Sequence, residues 1–320
     1  VFMTEGKTPE ELEEIRKKAD ETLLRVQSGD DFGEVANEVS ESGTASNFGD
    51  LGFFEKGQLS EDYATAAADL ARNEVSAVIE LSDALVILQS ALLPRLPDTG
   101  DLEMAARYRP AAARGQVGGD WYDAVVMPSG ATSLMIGDVV GHDIGAAATM
   151  GQMRTTLRAL AWAVDDPPSR QVLRLEEAML DLGVEGMATL VYGRIEEPGI
   201  DGSRVLRWTN AGHPPPLLVH PDGSARFLED RAGDLMLGVL PDAHRTDNRT
   251  DVPRGSLLLL YTDGLVERRG EDLDQGLTRL RVSATAHAAL PSEAFLDQVL
   301  HDLHDGELAD DVAVLAVRFG

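Results

Sequence analysis

Apolar residues recur with two different periods along this chain, and the period changes after about residue 100. In the first part, a stripe of apolar residues recurs at helical spacing: Leu12, Ile15, Ala19, Leu23 and Val26. Thr8 and Glu11 have the spacing of a capping box, Pro9 takes the first helical position and Gly29 follows the run. These signals predict a helix from Pro9 to about Gly29.

From residue 103 onward, short apolar runs separated by glycine, proline and aspartate predict strands joined by turns. The predicted strands lie near Met104–Tyr108, Tyr122–Met127, Ser133–Ile136, Thr189–Ile195, Val205–Asn210, Pro216–His220, Leu257–Tyr261 and Val312–Val317. Helical patterns cover 144–163, 170–183, 274–287 and 292–304. Many strands with few helices between them predict an α+β fold, in which two sheets pack together and helices cover them on the outside.

The distribution of basic residues supports a division into two domains. All four lysines lie within the first 56 residues, whereas the permanently cationic side chains after Lys56 are 22 arginines. Besides the first helix, the lysine-containing part predicts a short helix over 31–42, a strand near Phe53, a helix over 61–71 and a strand over Val75–Ile79. We therefore expect two domains of different origin, over 1–80 and 101–320, joined by a linker helix and lead-in over 81–100.

The stretch LSDALVILQSALLPRLP, which begins at residue 81, admits two interpretations. It predicts either a strand over Ala84–Leu88 or a helix over 81–93, and Pro94 stops both. The helix is favoured by a cap at Ser82 and by leucines at helical spacing, namely Leu81, Leu85, Leu88 and Leu92. We favour the helix and expect its apolar face to pack either on the second domain or on the same helix of a second chain in a homodimer.

Composition and charge narrow the classes of function. The 320 residues are 43% hydrophobic, which allows at least one large core, and they carry a formal net charge of −27. Such an acidic chain disfavours nucleic acid and anionic membranes as partners, because both attract basic surfaces. The absence of cysteine excludes thiol catalysis, disulfides and cysteine-bound zinc. With no apolar run of membrane-spanning length and no visible signal peptide, we expect a cytoplasmic protein, with further sequence upstream of Val1.

Carboxylates recur at the ends of the apolar strands of the second part. Asp120 lies in GGDWYD, Asp138 follows SLMIG, Asp263 follows LLLLYT, and Asp310 and Asp311 precede VAVLAV. Any one of them has an ordinary explanation as a turn residue beside glycine. Independent turns are the poorer explanation for the whole set, because a carboxylate at the edge of a core is costly unless it is paired or metal-bound. Oxygen ligands without His or Cys favour Mg²⁺ or Mn²⁺, and two such ions can clamp a phosphate.

These carboxylates belong to motifs that occur in order from about residue 88 to the C-terminus: VGGDWYD, IGDVVGHD, AAATMGQMRTTLRAL, MATLVYGRI, TNAGHPPPLLV, LLLLYTDGLVERR and DDVAVLAVR. The series resembles the metal-dependent, PP2C-like (PPM) protein phosphatases of the bacterial SpoIIE/RsbU type. The resemblance implies an α-β-β-α sandwich, with two antiparallel sheets flanked by helices, and a serine/threonine phosphatase that uses two Mn²⁺ or Mg²⁺ ions. It also implies that the phosphorylated protein substrate is an anti-anti-sigma factor (a STAS-domain protein) in bacterial partner switching.

Matched residue by residue, the resemblance places the metal ligands on Asp120, Asp138, Asp263 and Asp310, which would act in catalysis through the bound metals. It adds the backbone carbonyl of Val139, and it adds Asp311 as a direct or outer ligand. The histidines near these motifs have more ordinary explanations. We expect His142 to order the turn into the helix at residue 144 rather than to move a proton, and we expect His213 to stabilise a turn between strands.

The first part resembles the parvulin-type peptidyl-prolyl isomerases, most clearly in GDLGFFEKGQL. Phe54, Leu59 and Tyr63 match the hydrophobic proline pocket of that family, whereas Val86 stands where its last strand carries a His. The His of its first strand would precede Val1, so we expect an incomplete parvulin-like domain that binds proline or is a relict. A rival hypothesis is a proline-directed binding or isomerase protein whose phosphatase half is only a scaffold. A third hypothesis is that the chain consists of two fused domains without functional coupling.

Overall fold

The computed structural model describes residues 1–4, 6–28, 30–42, 45, 75–81, 84–86, 96–109, 118–141, 144–200, 202–229, 234–240, 243–268, 270–304 and 310–320. The chain separates into two units, Val1–Leu92 and Leu93–Gly320. The strand predicted near Phe53 and the helix predicted over 61–71 lie outside the described residues.

The N-terminal unit contains two helices, α1 (Pro9–Gln27) and α2 (Phe32–Val39), and a small antiparallel sheet. The predicted capping box is confirmed, because Glu11 N donates to Thr8 Oγ1 over 3.3 Å and Thr8 N donates to Glu11 Oε2 over 2.7 Å. The sheet has the order β1-β3-β2 and consists of β1 (Phe2–Met3), β2 (Ile79–Glu80) and β3 (Ala84–Val86). Phe2 and Leu85 pack with Ala19 of α1, so this unit has a core of its own.

Strand β3 contradicts the helix that the leucine spacing favoured over 81–93. Leu85 pairs with Phe2 on one side and with Glu80 on the other, and all three residues of β3 are buried. A short apolar run fits either period, and here two neighbouring strands satisfy its backbone groups on both sides. The alternative strand is therefore correct at Ala84–Val86, and the helical stripe through Leu85 does not form. Leu88 and Leu92 lie outside the described residues.

The second unit is built from two five-stranded antiparallel sheets. The first sheet has the order β10-β9-β12-β13-β4 and consists of β4 (Leu102–Arg109), β9 (Leu217–Val219), β10 (Ala225–Phe227), β12 (Leu257–Tyr261) and β13 (Val312–Phe319). The second has the order β11-β8-β7-β6-β5 and consists of β5 (Asp120–Val126), β6 (Thr132–Val139), β7 (Ala188–Ile195), β8 (Arg204–Ala211) and β11 (Asn248–Val252). The helices are α3 (Ile144–Ala163), α4 (Pro168–Leu182), α5 (Leu273–His287) and α6 (Ser292–Leu303).

Alternation along the strands explains how these layers pack. In β12, Leu258 and Leu260 face the other sheet, whereas Leu257 and Leu259 face a cluster that contains Phe295 of α6. In the second sheet, Leu134 and Ile136 face inward, while Met135 packs with Met150 and Leu157 of α3. Both faces of each central strand are buried, which is why these strands are apolar throughout rather than alternating. The predicted α-β-β-α sandwich is confirmed.

Element bounds follow the predictions closely where periodicity is long and clear. Helix α3 covers the predicted 144–163 and β12 the predicted Leu257–Tyr261. Strands β10 and β11 were not predicted, because one has three residues and the other, NRTDV, is mostly polar. Among the described residues, no helix combines the length and apolarity needed to cross a bilayer.

Candidate metal centre

The register of β5 and β6 brings Asp120 and Asp138 directly opposite each other. Asp138 lies on the same strand face as Ile136, which points between the sheets, and Asp120 shares this inner face. Asp120 is only 3% exposed. Like charges directly opposite each other on neighbouring strands are destabilising unless something between them offsets the repulsion. The two carboxylates therefore form one half of a candidate cation site at the edge of the core.

Thr262 connects this pair to the other sheet. Its hydroxyl donates to Asp120 Oδ2 over 2.7 Å and accepts from Ala313 N over 2.8 Å. Thr262 is fully buried and comes directly after β12. The next residue, Asp263, starts a short 3₁₀ turn through Leu265. The turn thus places a third carboxylate beside the first two, across the gap between the sheets.

Asp310 and Asp311 precede β13 at the same end of the first sheet. Asp311 N donates to Asp310 Oδ1 over 2.8 Å, Asp310 is exposed and Asp311 is 6% exposed. Strand β13 lies between β12 and β4, so its first residues stand beside the turn that carries Asp263. The five sequence-predicted carboxylates therefore lie at the same end of the sandwich.

Burial and mutual repulsion raise the pKa values of these carboxyl groups. Burial raises the pKa of Asp120 well above its usual value, the charge of Asp138 adds to this, and the hydrogen bond from Thr262 opposes it. The pKa of Asp138 is raised by burial and then by the charge of Asp263. The pKa of Asp263 is raised by burial and then by the charges of Glu267 and Asp310. Each carboxylate is thus less stable when charged than it would be in water, unless a cation is present.

The donor set fits a hard divalent cation. Within the described part of the chain, no Lys or Arg forms an ion pair with Asp120, Asp138 or Asp263, so no cationic side chain offsets their charge. Among these residues, no three or more acidic or histidine side chains are placed to bind a metal ion without moving. Repulsion between carboxylates opposes such convergence in the absence of a cation. Oxygen-only donors that lack a cationic partner match the preference of Mg²⁺ and Mn²⁺.

Three glycines leave room around the oxygens of this centre. A Cβ at Gly118 would overlap the carboxylate of Asp311, and a Cβ at Gly119 would overlap the carbonyl oxygen of Val139. A Cβ at Gly264 would overlap the backbone oxygen of Asp311. The sequence signal for this role is the position of these glycines beside Asp, in GGD and TDG. Their role is close approach of backbone to the acidic residues.

Asp123 lies on the same strand as Asp120 but does not belong to the centre. It faces the helix side of β5, together with Trp121 and Val125, because alternate residues of a strand point to opposite faces. Its fully buried carboxylate pairs with the Arg158 guanidinium and accepts from Ala124 N over 2.7 Å. Asp123 is therefore a buried ion-pair residue of the core.

His213 is buried at the same end of the sandwich. Its backbone N donates to Asn210 Oδ1 over 2.7 Å, and Asn210 Nδ2 donates to the His213 carbonyl over 2.8 Å, which confirms the predicted turn. The ring also reaches Thr189 Oγ1 over 2.7 Å and the Tyr261 carbonyl over 3.0 Å. Burial lowers the pKa of His213 to about 3, so the ring is neutral at physiological pH. The contacts of this ring were not predicted.

An apolar rim, formed by Val140, Met187 and Val239, lies beside the centre. These side chains are 55%, 43% and 46% exposed, and Val140 N donates to the Met187 carbonyl over 2.9 Å. The chain segment that carries Val239 joins the second sheet, because Leu237 and Ala188 exchange backbone hydrogen bonds. Arg245 also holds this segment, because it donates to the Leu235 carbonyl and forms a buried ion pair with Glu176 of α4 over 2.6 Å. The rim is therefore an ordered apolar surface next to buried acids.

Several predicted residues lie outside the described part of the chain: Phe54, Leu59, Tyr63 and His142. Their predicted roles stay predictions. Val139 is described, and its N–H donates to the Gly119 carbonyl over 3.1 Å.

Comparison with known families gives two matches along the chain. Residues 128–320 match the family described as Stage II sporulation protein E (SpoIIE). Residues 1–91 match the PPIC-type PPIASE domain, the rotamase family to which parvulins belong, and this match ends beyond the predicted boundary at residue 80. The N-terminal unit is thus of the rotamase type, as the resemblance implied.

Among the relatives is protein IcfG of Synechocystis sp., which is 28% identical over 271 residues and aligns with 75% of this chain and 41% of its own length. Phosphoserine phosphatase RsbU of Bacillus subtilis is 23% identical over 252 residues, covering 77% of this chain and 71% of its own. A similar solved structure contains the RsbU and RsbW domains of a Mycobacterium tuberculosis protein, with a TM-score of 0.59 and 32% identity over 68% of this chain and 59% of that one. The chain therefore spans less than two thirds of the length of two of these three proteins.

Proposed function

This chain belongs to the SpoIIE family, and from that premise we propose that it is a metal-dependent protein phosphatase acting on phosphoserine or phosphothreonine. The observation that carries the proposal is the pairing of Asp120 with Asp138 on adjacent strands, with Asp263 brought to them from the other sheet. Asp120 is buried, Asp138 and Asp263 are partly buried, and burial followed by the negative charges of neighbouring carboxylates raises the pKa of each. No cationic side chain pairs with them among the described residues. Such an arrangement destabilises the fold, and the best explanation for it is a bound cation that the protein needs for its activity.

The proposed ligands of Mn²⁺ or Mg²⁺, two ions in all, are Asp120, Asp138, Asp263 and Asp310, with the Val139 carbonyl and Asp311 as further ligands. Bound divalent ions supply Lewis acidity and offset the negative charge of a phosphate. The chain contributes orientation, because the Thr262 hydroxyl keeps the Asp120 carboxylate in one position. It also contributes a floor from which water is excluded, because the strand residues beneath the acids, such as Ile136 and Leu260, are buried. Preorganised ligands of this kind cost little reorganisation when substrate binds.

We propose that the substrate is a phosphorylated protein rather than a small phosphate ester. The apolar rim of Val140, Met187 and Val239 supports this, because exposed apolar side chains beside a charged centre suit the surface of a protein partner. Attraction by charge does not explain substrate binding, since both this chain, at −27, and a phosphate are anionic. Resemblance to the SpoIIE/RsbU type further suggests an anti-anti-sigma factor with a STAS domain, within bacterial partner switching.

The direct test is a phosphatase assay on the full chain with a small aryl phosphate. We expect turnover with Mn²⁺, little turnover after chelation, and recovery when Mn²⁺ is restored. Asp138→Asn should abolish the metal-dependent part, whereas Asp297→Asn, on the exposed face of α6, should leave it unchanged. Activity that survives both chelation and Asp138→Asn would contradict the proposal.

For the N-terminal unit, we propose a proline-binding module with weak isomerase activity at most. The rotamase match supports the fold, and Val86, where the parvulin resemblance expects His, is a buried residue of β3. A valine there offers no polar group to a prolyl peptide. A proline-isomerisation assay on the full chain should show a rate close to the uncatalysed one, which takes tens of seconds or more. Fast catalysis by the full chain would contradict this proposal.

A further inference from the structure

The His213 ring joins the two sheets through one nitrogen on each side. Nδ1 lies 2.7 Å from Thr189 Oγ1 of β7, and Nε2 lies 3.0 Å from the carbonyl oxygen of Tyr261, the last residue of β12. Thr189 is directly opposite Asp138 in the ladder between β6 and β7. Tyr261 is two residues before Asp263. The imidazole therefore spans the gap between the strand ends that present these two carboxylates.

The two contacts assign one tautomer to the ring. A carbonyl oxygen only accepts hydrogen bonds, so Nε2 must carry the proton that is donated to Tyr261. Nδ1 is then an acceptor, and the Thr189 hydroxyl must donate to it. The Thr189 hydroxyl thus donates to the neutral ring, and the ring in turn donates to the Tyr261 carbonyl. Each group has its partner, and the buried ring leaves no nitrogen unsatisfied.

The backbone holds the ring where this link requires it. His213 N and its carbonyl both bond the side chain of Asn210, at the end of β8, over 2.7 and 2.8 Å. Gly212, just before it, has a φ of 71° and lies against Met236, so the turn is confined on its outer side. A rigid ring on a rigid turn can keep two strand ends at a constant separation, whereas a flexible amide side chain would not.

We propose that His213 and Thr189 are positioning residues that set the separation between Asp138 and Asp263, and through it the affinity of the centre for its divalent cation. The inference rests on the proposed phosphatase function, since it assigns a metal to these carboxylates. It extends that proposal to residues that touch neither metal nor substrate. Neighbouring Thr262 makes a comparable link to Asp120, so two cross-sheet hydrogen bonds flank the metal centre.

The test compares Thr189→Val with Thr189→Ser in the full chain. Valine has the shape of threonine without the hydroxyl, and serine keeps the hydroxyl. Thr209→Val is the matched control, because the Thr209 hydroxyl is buried in the same sheet and has no hydrogen-bond partner among the described residues. The readouts are Mn²⁺ affinity by titration calorimetry, the Mn²⁺ concentration for half-maximal turnover, and the melting temperature of the metal-free protein.

We expect Thr189→Val to weaken Mn²⁺ binding by roughly five- to tenfold, as for the loss of one neutral hydrogen bond. Thr189→Ser should stay within about twofold of the parent chain, and Thr209→Val should bind Mn²⁺ normally. His213→Gln should weaken binding at least as much as Thr189→Val, because it removes both ring contacts. All variants must remain folded at the assay temperature for this comparison.

Two results would overturn the inference. One is a Thr189→Val protein that binds Mn²⁺ as the parent chain does. The other is a loss of affinity that follows the fraction of unfolded protein, which would mean that the link serves stability alone. Failure of the proposed function looks different, because the parent chain itself would then bind no Mn²⁺ and show no metal-dependent turnover.

Discussion

Thr262 and Asp120 belong to different sheets and are 142 positions apart in sequence, yet they share a buried hydrogen bond of 2.7 Å. The same hydroxyl accepts from Ala313 N, so one side chain joins β5, the end of β12 and β13. An acidic side chain whose charged form is disfavoured by burial is thereby kept in a defined position.

Replacing Asp263 by Asn should separate catalysis from stability. The change removes a carboxylate whose pKa is raised by burial and by neighbouring charges, so the metal-free protein should melt at a higher temperature. Turnover should fall by at least about a hundredfold, because replacing even a residue that only contacts a metal ligand lowers metal affinity or activity about tenfold to a hundredfold. Steady-state kinetics with Mn²⁺ and calorimetric melting measure the two effects.

Asp123→Asn is the control for that prediction. Asp123 is buried, pairs with Arg158 and faces α3 rather than the metal centre, so its replacement can change the melting temperature but should not change metal binding. The folded fraction should keep its turnover per molecule. Near-normal turnover of Asp263→Asn would contradict the ligand assignment.

Replacing Thr262 by Val should destabilise the fold and weaken metal binding together. The buried Asp120 oxygen and the Ala313 N–H both lose their partner, which costs about 1–3 kcal/mol of unfolding free energy. Thr262→Ser should restore most of the loss because it keeps the hydroxyl. Urea unfolding and Mn²⁺ titration check this, and equal stability of the Val and Ser variants would show that the hydroxyl does not matter.

The acidic cluster should make the metal-free protein less stable as pH rises. The pKa values of Asp120 and Asp138 are raised in the folded protein, so the folded chain holds more protons than the unfolded one above about pH 4, the usual range of Asp. The contribution of these groups to the free energy of unfolding is complete at lower pH. It is lost as pH rises through their raised pKa values. Because the deprotonated carboxylates are the form that binds a cation, Mn²⁺ affinity should increase over the same pH range.

This prediction is checked by melting the metal-free protein between about pH 5 and about pH 8. Other groups titrate as well, so the informative quantity is the difference between the parent chain and Asp138→Asn. The variant should gain stability relative to the parent as pH rises. A constant difference across this range would contradict the charge coupling.

Replacing Val239 by Asp should affect protein substrates selectively. A charge in the apolar rim should lower kcat/KM on a phosphoprotein by about tenfold, as for the loss of one significant interface contact. Turnover of a small aryl phosphate should stay the same, because that substrate reaches the centre without the rim. Ile200→Asp is the matched control, since Ile200 is fully exposed in the β7–β8 connection at the other end of the sheet. An equal loss on both substrates would mean that Val239 acts on the centre itself.

Much of the fold was predictable because long elements with clear periods carry local signals. Helix α3 and strand β12 lie where the pattern placed them, and the capping box at Thr8 was correct. The helix favoured over 81–93 is wrong at β3, because three apolar residues fit both periods and pairing with two neighbouring strands selects the strand.

The chemistry divides in the same way. The residues alone identify the carboxylates that end apolar strands, exclude cysteine chemistry and indicate the families that the motifs resemble. The folded arrangement of the strands was needed to show that Asp120 faces inward while Asp123 faces α3, and that Thr262 and His213 link the sheets. The difference lies in distance along the sequence. Periodicity and turn chemistry act over a few residues, whereas these hydrogen bonds join strand ends that come together only when both sheets pack.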